Sequence, residues 1–135
     1  MAYIEWDESL SVGVAEIDAQ HRRLFELVNT LHGLCAASCP PLALLAAADE
    51  FCEYTREHFA TEERYMDAHQ YRGMDAHIQE HMQCSMRAVD FLGQALADDA
   101  GLRDEFLAFL REWLDTHIRG TDMGLGAYLN KRGVA

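Results

Sequence analysis

Apolar residues recur along this chain at steps of three and four, the period of a helix with one buried face. Leu44, Ala48, Phe51, Thr55, His58, Glu62 and Tyr65 form one such stripe. His21, Leu24, Phe25, Val28, Leu31, His32 and Cys35 form a second, and Met74, His77, His81, Cys84, Ala88, Phe91 and Ala95 a third. A fourth runs through Leu102, Phe106, Leu110, Trp113, Leu114 and His117. No strand-like alternation competes with these stripes, and no internal repeat or low-complexity tract interrupts them. Breaks fall between them: Asp18 is placed to cap the first helix, Pro40 or Pro41 to open the second, and Asp98 and Asp99 to cap the fourth. Tyr71-Arg72-Gly73 connects the second helix to the third. The pattern predicts helices over residues 18–37, 41–70, 74–97 and 100–119, with a short helix over 122–130. Residues 1–17 form an arm in which Trp6 and Ser11-Val12-Gly13-Val14 fold onto the body, with a turn at Gly13. Four amphipathic helices with short connections imply an all-α fold, an antiparallel up-down-up-down four-helix bundle, as a single domain over residues 1–135.

Two features of these stripes are out of place in a hydrocarbon core. His58 and Glu62 lie four residues apart, so they stack on one face one turn apart, and that face reads inward. A buried carboxylate without a partner costs several kcal/mol or more, and a metal ion is one way to remove that cost. The predicted topology tests this. The start of the first helix, the end of the second, the start of the third and the end of the fourth share one end of such a bundle. His21, His58, Glu62, His77, His81, His117 and Asp122 all fall in that half. His77 and His81 present two imidazoles on one helical face. Asp122 is the awkward member: it follows His117 by five positions, about 140° away on an ideal helix. Gly120 offers the local unwinding that would swing it inward. Five imidazoles and two carboxylates exceed what one ion needs and suit two ions bridged by the carboxylates.

Charge and cysteines narrow the setting. A formal net charge of −12 argues against nucleic acid and anionic membranes as partners. No apolar run approaches the roughly 20 residues that span a bilayer, and the N-terminal residues lack the features of a secretory signal, so a cytoplasmic location is expected. The dispersed cysteines, Cys35, Cys39, Cys52 and Cys84, form no Cys-x-x-Cys pair and read as reduced, small core residues, with a Cys35–Cys39 disulfide open but unsupported.

At the seven inward residues the chain resembles the hemerythrin family, specifically its bacterial single-domain members. The resemblance spans nearly the whole chain: Trp6, Gly13, Ile17-Asp18-Ala19-Gln20-His21, the His58-Phe59-x-x-Glu62-Glu63-x-x-Met66 motif, His77-x-x-x-His81, and Trp113-Leu114-x-x-His117-Ile118-x-x-x-Asp122. The five-residue step from His117 to Asp122 is itself a family feature. What the resemblance implies is a pair of iron ions bridged by Glu62, Asp122 and an oxo or hydroxo group. His77, His81 and His117 would complete one iron, and His21 and His58 the other, which keeps an open position for dioxygen. Phe59, Trp113, Leu114 and Ile118 would form the apolar wall of the oxygen pocket.

The donor set has a physical sense of its own. Related bundles with four carboxylates and two histidines favour oxidised iron and oxygen activation. Here neutral imidazoles outnumber carboxylates, which favours ferrous iron and reversible dioxygen binding for transport, storage or scavenging. No dedicated acid, base or nucleophile stands out, so no enzymatic activity is expected. The rival readings are a stand-alone oxygen or redox sensor, a di-iron enzyme acting on peroxide, nitric oxide or ferrous iron, and a structural zinc site. Dioxygen is the expected partner and an oxygen-consuming enzyme a candidate one. The residues do not fix the oligomeric state, for which a monomer is the preferred expectation. His32 and His69, each 11 positions beyond a proposed ligand (His21 and His58) and so about 16 Å from it along the axis, read as structural or surface residues. Glu63 points about 100° away from Glu62 and is expected to be solvated. Tyr65 and Tyr128 are expected to pack, and Met66, Met74, Met82 and Met86 to fill core or surface.

Overall fold

The structure, a computed structural model, describes residues 2–97 and 99–135. Asp98, expected beside Asp99 as a cap, lies outside the described residues. Four long helices follow one another: α1 Ala15–Ala36, α2 Pro41–Ala68, α3 Met74–Gln94 and α4 Ala100–Thr116. A 3-10 turn, Ala95–Ala97, extends α3, and α4 runs through a π-helical turn, His117–Asp122, into α5 Met123–Lys131. Each long helix packs on its neighbour in sequence, and α1 also meets α4, which closes the bundle. The result is the antiparallel four-helix bundle that the stripes predict, and among the described residues there is no strand. Fixed φ suits Pro41 to the first turn of α2, and the Asp99 carboxylate accepts the Gly101 and Leu102 amides at 2.9 and 3.2 Å to open α4.

The interior divides along its length. At the end farther from the histidines it is mostly apolar: Phe106 stacks on Phe91 with ring centroids 4.2 Å apart and meets Phe51 edge-on, among Leu31, Leu44, Leu110 and Ala88. Cys52 and Cys84 are buried, Cys35 and Cys39 half-buried, and all four are free thiols. Burial pushes the Cys84 thiol up to about 12 and that of Cys52 to about 11, so both stay protonated.

The arm and α5 close the other end. Asp18 does not cap α1, which starts three residues earlier at Ala15. It sits buried in the first turn, where its carboxylate accepts from the Val12 amide at 2.9 Å and from the Ser11 hydroxyl, and so ties the arm down. Asn29 exchanges two hydrogen bonds with the Ile4 backbone, at 3.0 and 2.9 Å. Arg22 lies over the Trp6 ring, 4.0 Å from its centroid. Gly13 adopts φ of 80° under Asn130, whose amide donates to the Gly13 carbonyl at 2.8 Å. On α5, Gly126 passes so close to the arm that an added Cβ would stand 2.0 Å from the Val12 carbonyl oxygen.

Candidate metal centre

His21 enters from the first half of α1, His58 and Glu62 from the second half of α2, and His77 and His81 from the first half of α3. His117 and Asp122 bound the π turn. Its hydrogen bonds run from residue i to i+5, which stacks groups five apart on one face. This wider turn, rather than an unwound segment at Gly120, carries Asp122 inward, and the helix stays continuous from α4 into α5. All seven side chains are buried, Glu62 at 0% exposure.

They form two overlapping clusters whose candidate ligand atoms lie within 4.8 Å of one another: Glu62, His77, His81, His117 and Asp122; and His21, His58, Glu62 and Asp122. Both carboxylates belong to both clusters, and each divides its oxygens between them. Glu62 Oε1 lies 3.2 Å from His77 Nε2 and 2.9 Å from His81 Nε2, whereas Oε2 lies 3.3 Å from His21 Nε2 and 3.1 Å from His58 Nε2. Asp122 Oδ1 lies 2.9 Å from His77 Nε2 and 3.0 Å from His117 Nε2, and its Oδ2 lies 3.0 Å from His21 Nε2. Several of these contacts are close without being hydrogen bonds. His21 Nε2, His117 Nε2, Glu62 Oε2 and both Asp122 oxygens are buried with no aligned partner.

The far sides of three rings show which nitrogen carries the proton. His58 Nδ1 meets Gln20 Oε1 at 2.7 Å, and the Gln20 amide in turn donates to Thr61 at 3.1 Å. His81 Nδ1 meets Glu63 Oε2 at 3.1 Å, and His117 Nδ1 meets Glu80 Oε1 at 2.8 Å. These oxygens accept, so each Nδ1 donates, and a neutral ring then aims a bare Nε2 lone pair at a carboxylate oxygen. Lone pairs facing at about 3 Å repel unless a proton or a metal cation lies between them. A cation satisfies them all, so the residues fit a metal pair. Without metal, protons take that place at His21, His77 and His117. For His21 and His77 burial opposes charge, but the Asp122 and Glu62 carboxylates close beside them outweigh it and raise both imidazoles to about 9. His117 is raised for the same reasons.

Gln20, Glu63 and Glu80 were not read as site residues from the sequence, and Glu63 was expected to be solvated. Its carboxylate is 35% exposed, yet it holds His81. A signal for them exists. Each adjoins an inward residue of its own helix (Gln20 beside His21, Glu63 beside Glu62, Glu80 beside His81), so it points about 100° aside, toward the neighbouring helix. The contacts accordingly circulate: α1 holds a ring of α2, α2 a ring of α3, and α3 a ring of the π turn that continues α4.

Phe59 stacks on the His81 ring with centroids 3.9 Å apart, and Trp113 on the His117 ring at 4.3 Å. Leu114 and Ile118 are buried in the same end of the bundle. His32 stacks on Tyr3 away from the cluster, and the His69 carbonyl receives the Tyr128 hydroxyl at 2.5 Å. Tyr65 reaches Glu16 at 2.7 Å rather than packing inward. Met66 is fully buried, whereas Met82 and Met86 stand exposed.

A four-helix bundle with two overlapping clusters of metal-donor side chains at one end is the class of architecture these observations define. Residues 12–129 match the family described as the hemerythrin HHE cation binding domain, and the chain belongs to the hemerythrin family. It is 34% identical over 135 residues to a bacteriohemerythrin of Stenotrophomonas maltophilia, covering 97% of this chain and 87% of that one. It is 31% identical over 118 residues to a myohemerythrin of Riftia pachyptila, covering 87% of this chain and 86% of the relative. Among solved structures, a wild-type hemerythrin superposes with a TM-score of 0.85 at 28% identity, covering 93% of this chain and 97% of the other. No helix among the described residues is long and apolar enough to cross a membrane.

Proposed function

We propose that this chain holds two iron ions and binds dioxygen reversibly. The observation that carries the reading is the division of the Glu62 and Asp122 oxygens between two sets of histidines, an arrangement suited to bridging a metal pair. His77, His81 and His117 serve one ion, and His21 and His58 the other. With the two shared carboxylates that gives one ion five donor residues and the other four, so coordination space remains on the His21–His58 side. When bound, the iron pair supplies electrons and an open coordination position for dioxygen.

The protein's own residues do the rest. Gln20, Glu63 and Glu80 fix ring orientation and keep the Nδ1 protons away from the metal side. Phe59 and Trp113 clamp two rings from the side, and with Leu114 and Ile118 they exclude water, which limits proton delivery and oxidative decay. Transport, storage and scavenging all use this property.

The test is visible absorption of anaerobically iron-loaded protein before oxygen, after oxygen, and after its removal, with metal analysis of protein from its native cell. A band that appears with oxygen, vanishes on deoxygenation and returns through several cycles is the expected result. A band that decays after one cycle to an oxidised spectrum, with steady turnover of a reductant, would shift the assignment to an enzyme. Zinc in native protein would overturn the iron assignment.

A further inference from the structure

Among the described residues, five large hydrophobic side chains stand exposed: Leu42 at 71%, Met82 at 50%, Met86 at 65%, Val89 at 61% and Leu96 at 55%. They gather on one side of the bundle. On α3 and its 3-10 extension, Ile78, Met82, Ser85, Val89, Leu92 and Leu96 follow steps of four and three, the seam spacing of a coiled coil. The seam is roughly 27 Å long and carries no charged residue along its line. That is notable on a chain with a formal net charge of −12, which otherwise repels its own copies.

We propose that this face pairs with the same face of a second copy, α3 against α3, antiparallel about a two-fold axis near Met86 and Arg87. The seam reads the same in both directions, so Ile78 meets the second copy's Leu96, Met82 meets Leu92, and Ser85 meets Val89. The rim supports this register. Arg56 on α2 lines the groove at the level of Met82 and Ser85, and Asp49 lines it at the level of Leu92. Antiparallel pairing of Met82 with Leu92 therefore brings Arg56 of each copy to Asp49 of the other, twice. Leu42, beside Leu92 in the same groove, is covered by the same contact.

The test has a readout independent of metal chemistry: the mass of the full chain by light scattering across a concentration series, with Val89→Glu, Arg56→Asp, Asp49→Arg and the double swap. A wild-type dimer is expected. Val89→Glu raises its dissociation constant roughly a hundredfold by placing two charges in the seam. Each single rim change raises it about tenfold, and the double swap restores it. Helicity by circular dichroism stays unchanged, since Val89 is exposed. A wild-type chain that stays monomeric throughout, or a dimer indifferent to Val89→Glu, overturns the proposal. A dimer that responds to Val89→Glu but is not restored by the double swap overturns the antiparallel register.

Discussion

Glu80 belongs to neither donor cluster, yet it is a sharp test of how the centre is held. Its Oε1 accepts from His117 Nδ1 at 2.8 Å, and the carboxylate also takes the Thr121 hydroxyl at 2.7 and 2.9 Å. One side chain of α3 thus orients a ring of the π turn and pins the turn itself. Outer partners of ligating histidines are typically worth about 10–100-fold in metal affinity. That is about 1.4–2.7 kcal/mol of binding free energy. With ferrous iron in large excess over its dissociation constant, the metal-bound protein loses about the same amount of stability. For a chain of this length we predict that Glu80→Ala lowers the unfolding midpoint of the iron-loaded protein by about 4–13 °C. Chelator competition and anaerobic thermal unfolding measure the two quantities on the same samples. Glu80→Gln, which keeps an acceptor, loses less than Glu80→Ala. Thr121→Val keeps the His117 contact and loses only the pin. Unchanged affinity and midpoint in Glu80→Ala would refute the idea that the contact orients His117. Equal losses in Thr121→Val and Glu80→Ala would place the effect in the pin instead.

Three further outcomes are expected. Replacing Leu114 with Ser wets the apolar wall beside His117 and shortens the lifetime of the oxygenated form, measured by the decay of its visible band; an equal lifetime would remove Leu114 from that role. Metal-free protein loses stability as pH rises, because His21 and His77 hold their protons to about 9 in the fold, against the ordinary value of 6.5. This stabilisation is complete below 6.5 and drains away between 6.5 and 9, so urea midpoints that rise over that window would contradict it. Gly126→Ala forces a Cβ against the Val12 carbonyl and costs about 1–3 kcal/mol in chemical unfolding, and a neutral result would mean that the arm shifts freely.

The helices were legible because each is amphipathic along its full length: Leu44, Ala48, Phe51, Thr55, His58 and Glu62 are all buried. Periodicity overreaches at the end of that stripe, where Tyr65 is only half-buried and turns to Glu16. Asp18 shows the limit of capping rules, since an acidic residue near a helix start also serves a chain that folds back over it. The inward histidines and carboxylates were visible from spacing and topology together. Glu63 was misjudged because projection on a single helix treats 100° from the core as solvent. In a closed bundle that direction meets the next helix. The π turn was hidden for a related reason. Ideal helical geometry gives Asp122 the wrong face, and glycine at position 120 suggested a break where the backbone only widens.

That widened turn works as a one-residue change of reading frame inside a single continuous helix. Removing Gly120 would restore ordinary α geometry and set His117 four residues before the aspartate, still on one face. The residues beyond would keep their places; were the turn instead to narrow to α geometry with Gly120 kept, everything beyond would rotate by about 100°. Gly126 would leave the Val12 carbonyl, Asn130 would leave Gly13, and Tyr128 would lose the His69 carbonyl. The donor positions and the cap over that end of the bundle therefore share one phase, and neither can be reset without displacing the other.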